Sequence, residues 1–246
     1  MDKTNKIAPI LSIKDLKISF GSNNVLNGFS LDLFEGENLV IMGKSGSGKS
    51  VMIKCLVGLM QPDSGSIEIR GKDISKLSQN EFNELRTQLG FLFQGSALYD
   101  SMTVRENLEF PMRQQNKTEE ESLKLVFEAL DSVGLRDAID LMPEELSGGM
   151  KRRIALARAI ILKPKIIIYD EPTTGLDPIT AKEIIQLMRN IQLNFKTSSL
   201  IITHDVDCAR VISNRMILLI DGINYAEGTF AELSANKDEK IQAFFK

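Results

Sequence analysis

One eight-residue segment constrains the fold of this chain more than any other feature of its sequence. Residues 43–50 read GKSGSGKS, directly after the apolar run LVIM and directly before VMIKCLVGLM, which can continue as a helix. A strand, a glycine-rich turn and a helix in this order turn backbone N–H groups inward and add the positive end of the helix. The segment therefore predicts a phosphate site at the end of a buried strand.

The residues of this segment have separate expected roles toward a nucleotide. Its glycines let the backbone turn, Lys49 adds a charge for the β- and γ-phosphates, and Ser50 offers a hydroxyl to the Mg²⁺ that bridges them. The residues predicted to surround the phosphates are Gly43, Lys44, Ser45, Gly46, Ser47, Gly48, Lys49, Ser50 and Val51. A chance glycine-rich turn is the alternative, and the spacing together with the buried strand argues against it.

Apolar runs elsewhere in the chain predict an α/β fold. Residues 11–33 alternate around the turn-rich GSNN, which is typical of antiparallel strands with one wet face. Short continuous apolar runs instead indicate strands buried on both faces, as in a parallel sheet. These runs are Leu39–Met42, Phe91–Phe93, Ile166–Tyr169, Leu200–Thr203 and Met216–Ile220. Core-facing helices are indicated by two sets of apolar residues at helical spacing: Ile184, Met188, Ile191 and Phe195, and Leu123, Phe127 and Leu130.

The order of these patterns predicts the domain organisation. Strand and helix patterns alternate at both ends of the chain, whereas residues from about 103 to 163 show helical patterns only. We interpret the chain, 1–246, as a single domain with a helical subdomain inserted into an α/β core. The core, with its mostly parallel sheet and antiparallel β subdomain, is assigned to 1–92 and 164–246, and the helical subdomain to 93–163.

Two buried runs deliver ionisable side chains to strand ends. The segment IIIYDE brings Asp170 and Glu171 to the end of a strand, where parallel sheets bind their ligands. Asp170 can hold Mg²⁺ through its water shell, and Glu171 can polarise a water for attack on the γ-phosphate, which predicts hydrolysis. His204, the only histidine of the chain, follows LIIT and can hydrogen-bond a γ-phosphate oxygen. The alternatives are that Asp170 and Glu171 lie in a solvated turn and that His204 has only a structural role.

A second glycine-rich helix start also suits an anion. Residues 146–160 read LSGGMKRRIALARAI, so that Ser147 and two glycines precede a basic helix. Since one nucleotide already has the loop of its own chain around its phosphates, this second site predicts two copies that sandwich two nucleotides. The alternative is an N-cap turn without a ligand, with Lys151, Arg152 and Arg153 on a solvated helix face.

Charge, cysteine usage and hydropathy exclude several classes of function. The chain has 30 Lys and Arg against 33 Asp and Glu, a net charge of −3 with both signs interspersed, which argues against nucleic acid as the main ligand. Cys55 and Cys208 lie far apart without CxxC spacing, so neither a disulfide framework nor a zinc site is expected. No apolar run reaches the roughly 18 residues that span a bilayer, and the first residues lack the apolar core of a secretory signal.

Taken together, these segments resemble the ATP-binding cassette (ABC) ATPases, the nucleotide-binding subunits of ABC transporters. GKSGSGKS resembles the Walker A motif, IIIYDE the Walker B motif and LSGGM the signature motif of that family. The further matches are GLD at 175–177 with the D-loop, Gln94 with the Q-loop glutamine and His204 with the switch histidine. Phe20 stands where the family usually carries an aromatic residue that stacks on adenine.

The resemblance implies ATP and Mg²⁺ as cofactors and a P-loop NTPase fold of the ABC ATPase type. Glu171, His204 and Gln94 would act in catalysis, and Ser50, Gln94 and Asp170 would hold the metal. The family forms head-to-tail dimers, which implies that a second copy supplies nucleotide contacts from Ser147, Gly148, Gly149 and Asp177. Many relatives have glutamine at the position of Met150, which flanks the serine and glycine of the signature. We expect this difference to alter the details of that site without abolishing activity.

The same resemblance implies membrane partners. Gln94 would link the nucleotide to a groove where a short cytoplasmic helix of an integral-membrane permease docks, which places the chain on the inner face of the cytoplasmic membrane. FQGSALYDSMTVRENLEFPM at 93–112, with LSGGMKRR, is similar to the ATPases of MCE-type lipid transporters, including the Mla phospholipid system. That similarity implies phospholipid transport with an MCE-domain lipid-binding partner.

Two other functions remain open at this stage. One is the same ATPase in an importer of amino acids or other small solutes, and the other is a non-transport ABC ATPase in cofactor assembly or envelope remodelling. A translation-type ABC factor would carry two cassettes, whereas GxxxxGKS occurs here once. A P-loop kinase would have no use for LSGG or for the second carboxylate at Glu171.

Overall fold

The computed structural model describes residues 8–113, 115 and 117–245. The chain forms two compact units, which are described separately. Unit 1 comprises Met1–Arg86 and Ser198–Lys246, and unit 2 comprises Thr87–Thr197. Among the described residues, every helix is too short or too polar to cross a membrane.

Unit 1 contains two sheets and several short helices. Its strands are β1 (Leu11–Phe20), β2 (Asn23–Leu33), β3 (Asn38–Met42), β4 (Ser64–Ile69), β5 (Lys72–Asp73), β8 (Ser198–Ile202), β9 (Arg215–Ile220) and β10 (Ile223–Gly228). Its helices are α1 (Lys49–Leu56), α2 (Gln79–Arg86), α7 (Val206–Ile212), α8 (Phe230–Ser234) and α9 (Glu239–Gln242), with a 3-10 turn at Ile74–Lys76.

The antiparallel sheet of unit 1 has the order β2-β1-β4-β5. β1 and β2 form a hairpin in which Leu11 lies opposite Leu33 and Phe20 lies opposite Asn23. Leu11, Ile13, Leu16 and Ile18 of β1 are buried because they face the core, whereas Phe20 at the end of the strand is exposed. The predicted antiparallel pair at 11–33 is confirmed.

The second sheet of unit 1 is built around β3. β3 pairs in parallel with β8 on one side and with β9 on the other, and β10 pairs with β9 in antiparallel orientation. Every residue of β3 and β8 is buried, as expected for strands covered on both faces. The predicted buried strands at 39–42, 200–203 and 216–220 are therefore confirmed, although β8 itself ends at Ile202.

Two helices that flank this sheet each carry one of the two cysteines. Cys55 in α1 and Cys208 in α7 are both buried, and neither forms a disulfide bond. Burial raises the pKa of the Cys55 thiol above its ordinary value, since the apolar surroundings disfavour the thiolate.

Unit 2 joins two parallel strands to a group of helices. Its strands are β6 (Leu89–Leu92) and β7 (Ile166–Asp170), which pair in parallel. Its helices are α3 (Val104–Glu109), α4 (Glu119–Val133), α5 (Gly148–Ile160) and α6 (Pro178–Phe195), with 3-10 turns at Phe110–Met112, Arg136–Ala138 and Pro143–Glu145. Capping boxes at Thr103 with Glu106, and at Thr118 with Glu121, fix where α3 and α4 begin.

The structure corrects two details of the predicted apolar patterns in unit 2. The buried face of α4 is formed by Val126, Ala129, Leu130 and Val133, so of the predicted stripe only Leu130 is fully buried, and Leu123 and Phe127 lie half-buried at its edge. The ring of Phe127 instead lies under the Arg136 guanidinium, 4.4 Å away. The predicted buried run Phe91–Phe93 is also wrong at Phe93, which follows the end of β6 and is 44% exposed.

The other helical prediction in unit 2 agrees with the structure. Ile184, Met188 and Ile191 of α6 are buried, and Phe195 at its end is half-buried. Helices α3 to α5 all lie between residues 103 and 163, where only helical patterns were predicted. The exact subdomain boundaries, 1–92 and 164–246 against 93–163, stay a prediction.

Candidate nucleotide site

The glycine-rich segment forms the connection between β3 and α1 in unit 1. Gly48 caps the N-terminus of α1 with a φ of 103°, a backbone angle that residues other than glycine rarely adopt. A Cβ atom at this position would lie 2.9 Å from Leu26 Cδ2 and 3.0 Å from the Val25 carbonyl oxygen. Glycine is therefore required here both for its backbone conformation and because β2 approaches so closely.

Positive charge is concentrated at this loop. The Lys49 ammonium donates hydrogen bonds to the carbonyl oxygens of Gly43 and Lys44, the latter at 3.0 Å, so the side chain folds back over the loop. The first turn of α1 carries no acidic residue, which leaves the positive end of the helix uncompensated. Ser50, which is exposed, and Val51 lie in that same turn. This part of unit 1 is suited to bind an anion.

His204 emerges at the same edge of the sheet as the loop. β3 and β8 run in parallel with Ile41 opposite Ile202, and the Thr203 N–H donates to the Ile41 carbonyl oxygen at 3.2 Å. His204 follows directly and is exposed, just before Asp205 caps α7. The predicted phosphate loop and the predicted switch histidine are thus brought to one edge of unit 1.

Phe20 lies at the end of β1, opposite Asn23, and its side chain is 51% exposed. An exposed aromatic ring at a hairpin end is available to a flat ligand such as a nucleotide base. Its role in adenine stacking stays a prediction.

The predicted residues of unit 2 also meet at a strand edge. β6 and β7 run in parallel with Leu92 opposite Tyr169, so Gln94 and Asp170 follow at the same end of the pair. Gln94 is exposed and Asp170 is half-buried. Gln94 and Asp170 offer an amide and a carboxylate oxygen, hard donors of the kind that Mg²⁺ prefers. In unit 1, the hydroxyl of Ser50 is a donor of the same kind, so each of these residues by itself suits that metal.

Glu171 combines burial with an unusual backbone conformation. It follows β7 with a φ of 50°, and only 8% of the residue is exposed. Its carboxylate accepts a hydrogen bond from the Thr174 hydroxyl at 3.1 Å. A non-glycine residue in the left-handed region costs roughly 1 kcal/mol or more, and such strain concentrates at functional sites. The sequence contains no signal for this conformation.

The signature segment begins α5 and lies against the start of α6. Ser147 caps α5 and accepts a hydrogen bond from the Met150 N–H at 3.2 Å, and both Ser147 and Gly148 are exposed. A Cβ atom on Gly149 would lie 2.8 Å from Thr180 Cγ2, so glycine permits the close approach. Unit 2 therefore places the signature against the first turn of α6, which follows the D-loop at 175–177.

Asp177 has a clear structural role within its own chain. Its carboxylate accepts hydrogen bonds from the Ile179 and Thr180 N–H groups, both at 3.0 Å, and caps α6. The hydrogen bonds from Thr180 hold the pKa of this carboxyl below its ordinary value. A nucleotide contact from Asp177 stays a prediction beside this capping role.

Arg152 is a residue of this region that the sequence analysis missed. The alternative that placed it on a solvated helix face does not hold for Arg152, because the residue is only 3% exposed. Its guanidinium donates to the Phe93 carbonyl at 3.0 Å and to the Thr174 carbonyl at 3.2 Å, and burial lowers its pKa. Arg152 thus ties α5 to the loops that carry Gln94 and Glu171.

A signal for this burial is present in the sequence. Arg152, Ala155, Leu156 and Ala159 follow the i, i+3, i+4, i+7 spacing of one helix face, and all four are buried. Arg158 on the same helix donates to the carbonyl oxygens of Ser96 at 3.2 Å and Ala97 at 2.9 Å. Two arginines of α5 therefore hold the loop after β6.

Comparison with known proteins identifies the family. The sequence profile described as ABC transporter matches residues 26–174, more than half of the chain. The chain belongs to the ABC transporter family. Within that family it is an ATP-binding domain.

Two relatives of this ABC domain are named for different transport functions. The methionine import ATP-binding protein MetN of Brucella abortus is 37% identical over 234 residues, which cover 95% of this chain and 63% of that protein. The intermembrane phospholipid transport system ATP-binding protein MlaF of Haemophilus influenzae is 37% identical over 238 residues, 96% of this chain and 90% of that protein. This chain thus spans 63% of the length of the methionine import relative.

The solved structures of ABC cassettes confirm the fold class. A dimeric structure of the cassette MJ0796 in a post-hydrolysis state, bound to ADP and Pi, is 33% identical and superimposes with a TM-score of 0.79. The match covers 89% of this chain and 98% of that chain. The predicted α/β fold of the ABC ATPase type is therefore confirmed.

Proposed function

We propose that this chain is the ATP-hydrolysing, energy-coupling subunit of an ABC transporter. The observation that carries the proposal is Glu171, a buried carboxylate in a strained conformation directly after a buried strand. A carboxylate held in this way can act as a base toward water, which is the group that hydrolysis needs and mere nucleotide binding does not. The anion-binding loop of unit 1 and the family membership support the same conclusion.

The residues of the chain divide the proposed reaction between them. Lys49 and the loop bind the β- and γ-phosphates, and Ser50, Gln94 and Asp170 hold Mg²⁺, which when bound neutralises phosphate charge. Glu171 accepts a proton as the oxygen of a water molecule bonds to the γ-phosphorus. The bond from that phosphorus to the bridging oxygen breaks, which gives ADP and inorganic phosphate. His204 donates a hydrogen bond to the γ-phosphate.

The signature segment supports a dimer in the proposed cycle. Ser147 and Gly148 are exposed at the start of α5, and within their own chain the Ser147 side chain already caps that helix. We infer that this surface, with Gly149 and Asp177, closes over the nucleotide of a second copy. The dimeric state of the MJ0796 cassette is consistent with this arrangement.

A groove in unit 2 supports a membrane partner. It has a volume of about 410 Å³ and is lined by Phe93, Tyr99, Phe110 and Arg158 among others. The three aromatic side chains are 44%, 42% and 37% exposed, respectively. A cluster of exposed aromatic rings of this kind marks a protein contact, and we assign it to a short helix of an integral-membrane permease. The chain then acts at the inner face of the cytoplasmic membrane.

We propose phospholipid as the cargo, with an MCE-domain protein as a further partner. The resemblance of residues 93–112 to the ATPases of lipid transporters supports this choice, as does the phospholipid transport relative. Import of methionine or another small solute is the second candidate, because the methionine import relative is equally similar at 37% identity.

One experiment tests the proposal and separates the two cargoes. Tagged Glu171→Gln protein is purified in mild detergent with ATP and Mg²⁺, and its bound proteins and lipids are identified by mass spectrometry. A multi-spanning permease, an MCE-domain protein and phospholipid are expected. Lys49→Ala is the control, because this variant is not expected to form the ATP-bound dimer. Recovery of a solute permease without lipid would favour a small solute as the cargo in place of phospholipid. Recovery of soluble partners alone would contradict a transport function.

A further inference from the structure

The guanidinium of Arg152 is a buried positive charge in unit 2, and none of the described acidic side chains pairs with it. The residue is 3% exposed, and the groups that accept its hydrogen bonds are two backbone carbonyl oxygens. Within the described part of the chain, its Nε atom is buried without a hydrogen-bond partner. Taking a cation out of water without a countercharge costs free energy, so stability alone does not explain an arginine at this position.

One of the two carbonyl groups belongs to Thr174, which itself holds Glu171. The Arg152 Nη2 atom donates to the Thr174 carbonyl oxygen at 3.2 Å. The Thr174 hydroxyl donates to the Glu171 carboxylate at 3.1 Å, and the Thr174 N–H donates to the Glu171 carbonyl oxygen at 3.3 Å. Thr174 therefore lies between the buried guanidinium and the carboxylate that is proposed as the base.

The other carbonyl group belongs to Phe93, which follows the end of β6. The Arg152 Nη1 atom donates to this oxygen at 3.0 Å. Because a guanidinium is planar and rigid, its two terminal nitrogens fix the separation of the two oxygens that they bind. A single side chain thus holds the loop after β7 at a set distance from the end of β6.

The backbone conformation of Glu171 makes this support important. Its φ of 50° is unfavourable for a residue other than glycine, and such a conformation persists only where the surroundings hold it. Thr174 contacts both the backbone and the side chain of Glu171. A general base must lie within hydrogen-bond reach of the proton that it accepts, so a displacement of Thr174 would impair proton transfer.

We propose that Arg152 is a positioning residue for ATP hydrolysis, which sets the place of the Glu171 carboxylate through Thr174. The guanidinium holds Thr174 against the end of β6, and Thr174 orients Glu171 toward the attacking water. Arg152 contacts neither the water nor the nucleotide, so its loss slows the chemical step and leaves ATP binding unchanged. The inference rests on the proposed role of Glu171 as the base.

Steady-state kinetics of the full chain separates positioning from binding. Arg152→Met keeps an unbranched side chain but removes both donors, and Thr174→Val keeps the branched shape but removes the hydroxyl. For each variant we expect kcat to fall about tenfold, because a small displacement of a catalytic group is costly, while KM and the Kd of ATP stay within about twofold of the parent. Thr174→Ser keeps the hydroxyl and should restore the parent kcat.

The double variant Arg152→Met/Thr174→Val shows whether the two residues act along one path. We expect its kcat to equal that of either single variant, whereas independent contributions would multiply to a loss of about 100-fold. ATP bound at saturation gives the fraction of folded chains, so kcat is expressed per binding site. Arg153→Gln is the matched control, since this neighbouring arginine donates to the Val133 carbonyl and to Glu183 instead, and its kcat should equal that of the parent.

The outcomes separate failure of this inference from failure of the proposed function. A parent-like kcat in Arg152→Met or in Thr174→Val, an equal loss of ATP binding, or a multiplied loss in the double variant would overturn the positioning role. Thr174→Val decides the question even where Arg152→Met does not fold. If Glu171→Gln hydrolyses ATP like the parent in the same assay, Glu171 is not the base, and the proposed function and this inference are both wrong.

Discussion

At the scale of single residues, Glu171 is the side chain on which the chemistry depends. Its carboxylate is buried and held by the Thr174 hydroxyl, and its backbone has a φ of 50°. A glutamine in its place keeps an oxygen that accepts the same hydrogen bond, but this oxygen is a far weaker base. The substitution therefore removes proton transfer without disturbing the local fold.

We expect Glu171→Gln to bind ATP like the parent and to hydrolyse it at least about 100-fold more slowly, because a general base typically contributes that much. Phosphate release and equilibrium dialysis measure the two properties. Glu144→Gln, at an exposed glutamate in the same unit, is the matched control and should turn over normally. Parent-like turnover in Glu171→Gln would exclude Glu171 as the base.

Arg152 acts through the two loops that it holds. Its substitution by alanine leaves the carbonyls of Phe93 and Thr174 without their buried donor. We expect Arg152→Ala to lower the free energy of unfolding by about 2 kcal/mol in urea titrations. Arg210→Ala breaks only the surface ion pair with Asp207 and should change the free energy of unfolding by less than about 0.5 kcal/mol. Equal effects of the two substitutions would contradict the buried role of Arg152.

At the scale of elements, the start of α5 determines whether two copies can close. Ser147 and Gly148 are exposed, so a large side chain at Ser147 fits the monomer but obstructs a partner. We expect Ser147→Arg to bind ATP with a Kd within about twofold of the parent and to lose ATPase activity, which is measured by phosphate release. Ser101→Arg, at another exposed serine of unit 2, is the control. Loss of ATP binding in Ser147→Arg would mean that the signature serves its own chain.

Most elements around the site were predictable from the sequence because their patterns are local. β3, the glycine-rich loop and α1 follow from a buried run, turn residues and a helix start that are adjacent in the chain. The antiparallel β1–β2 pair follows from alternation around a short turn. The helix start at Ser147 was likewise visible as an N-cap followed by helical spacing.

The predictions failed where long-range packing decides. The face of α4 turned out to be Val126, Ala129, Leu130 and Val133, because the neighbouring elements and not the helix itself select which residues are covered. Phe93 lies beyond the end of β6, and the boundaries of short strands depend on the partner strand. The hydrogen bonds from Arg152 to Phe93 and Thr174 join distant parts of the chain, and no local pattern indicates such contacts.

At the scale of the whole molecule, the proposed cycle requires that ATP bring two copies together. We expect Glu171→Gln to double its mass in light scattering when ATP and Mg²⁺ are added, since the bound nucleotide persists. Lys49→Ala should stay monomeric under the same conditions, because it lacks the charge that faces the phosphates. A monomer of Glu171→Gln at saturating ATP would contradict closure by the chain alone.

The two cysteines make this chain convenient for measuring such motions. Cys55 and Cys208 are both buried, and the raised pKa of Cys55 keeps its thiol in the unreactive protonated form. A cysteine introduced at an exposed position, such as Leu59 with its 70% exposure, would then be the thiol that a maleimide dye modifies. Fluorescence energy transfer between two labelled copies could therefore follow their association on the native sequence background, with both natural cysteines left in place.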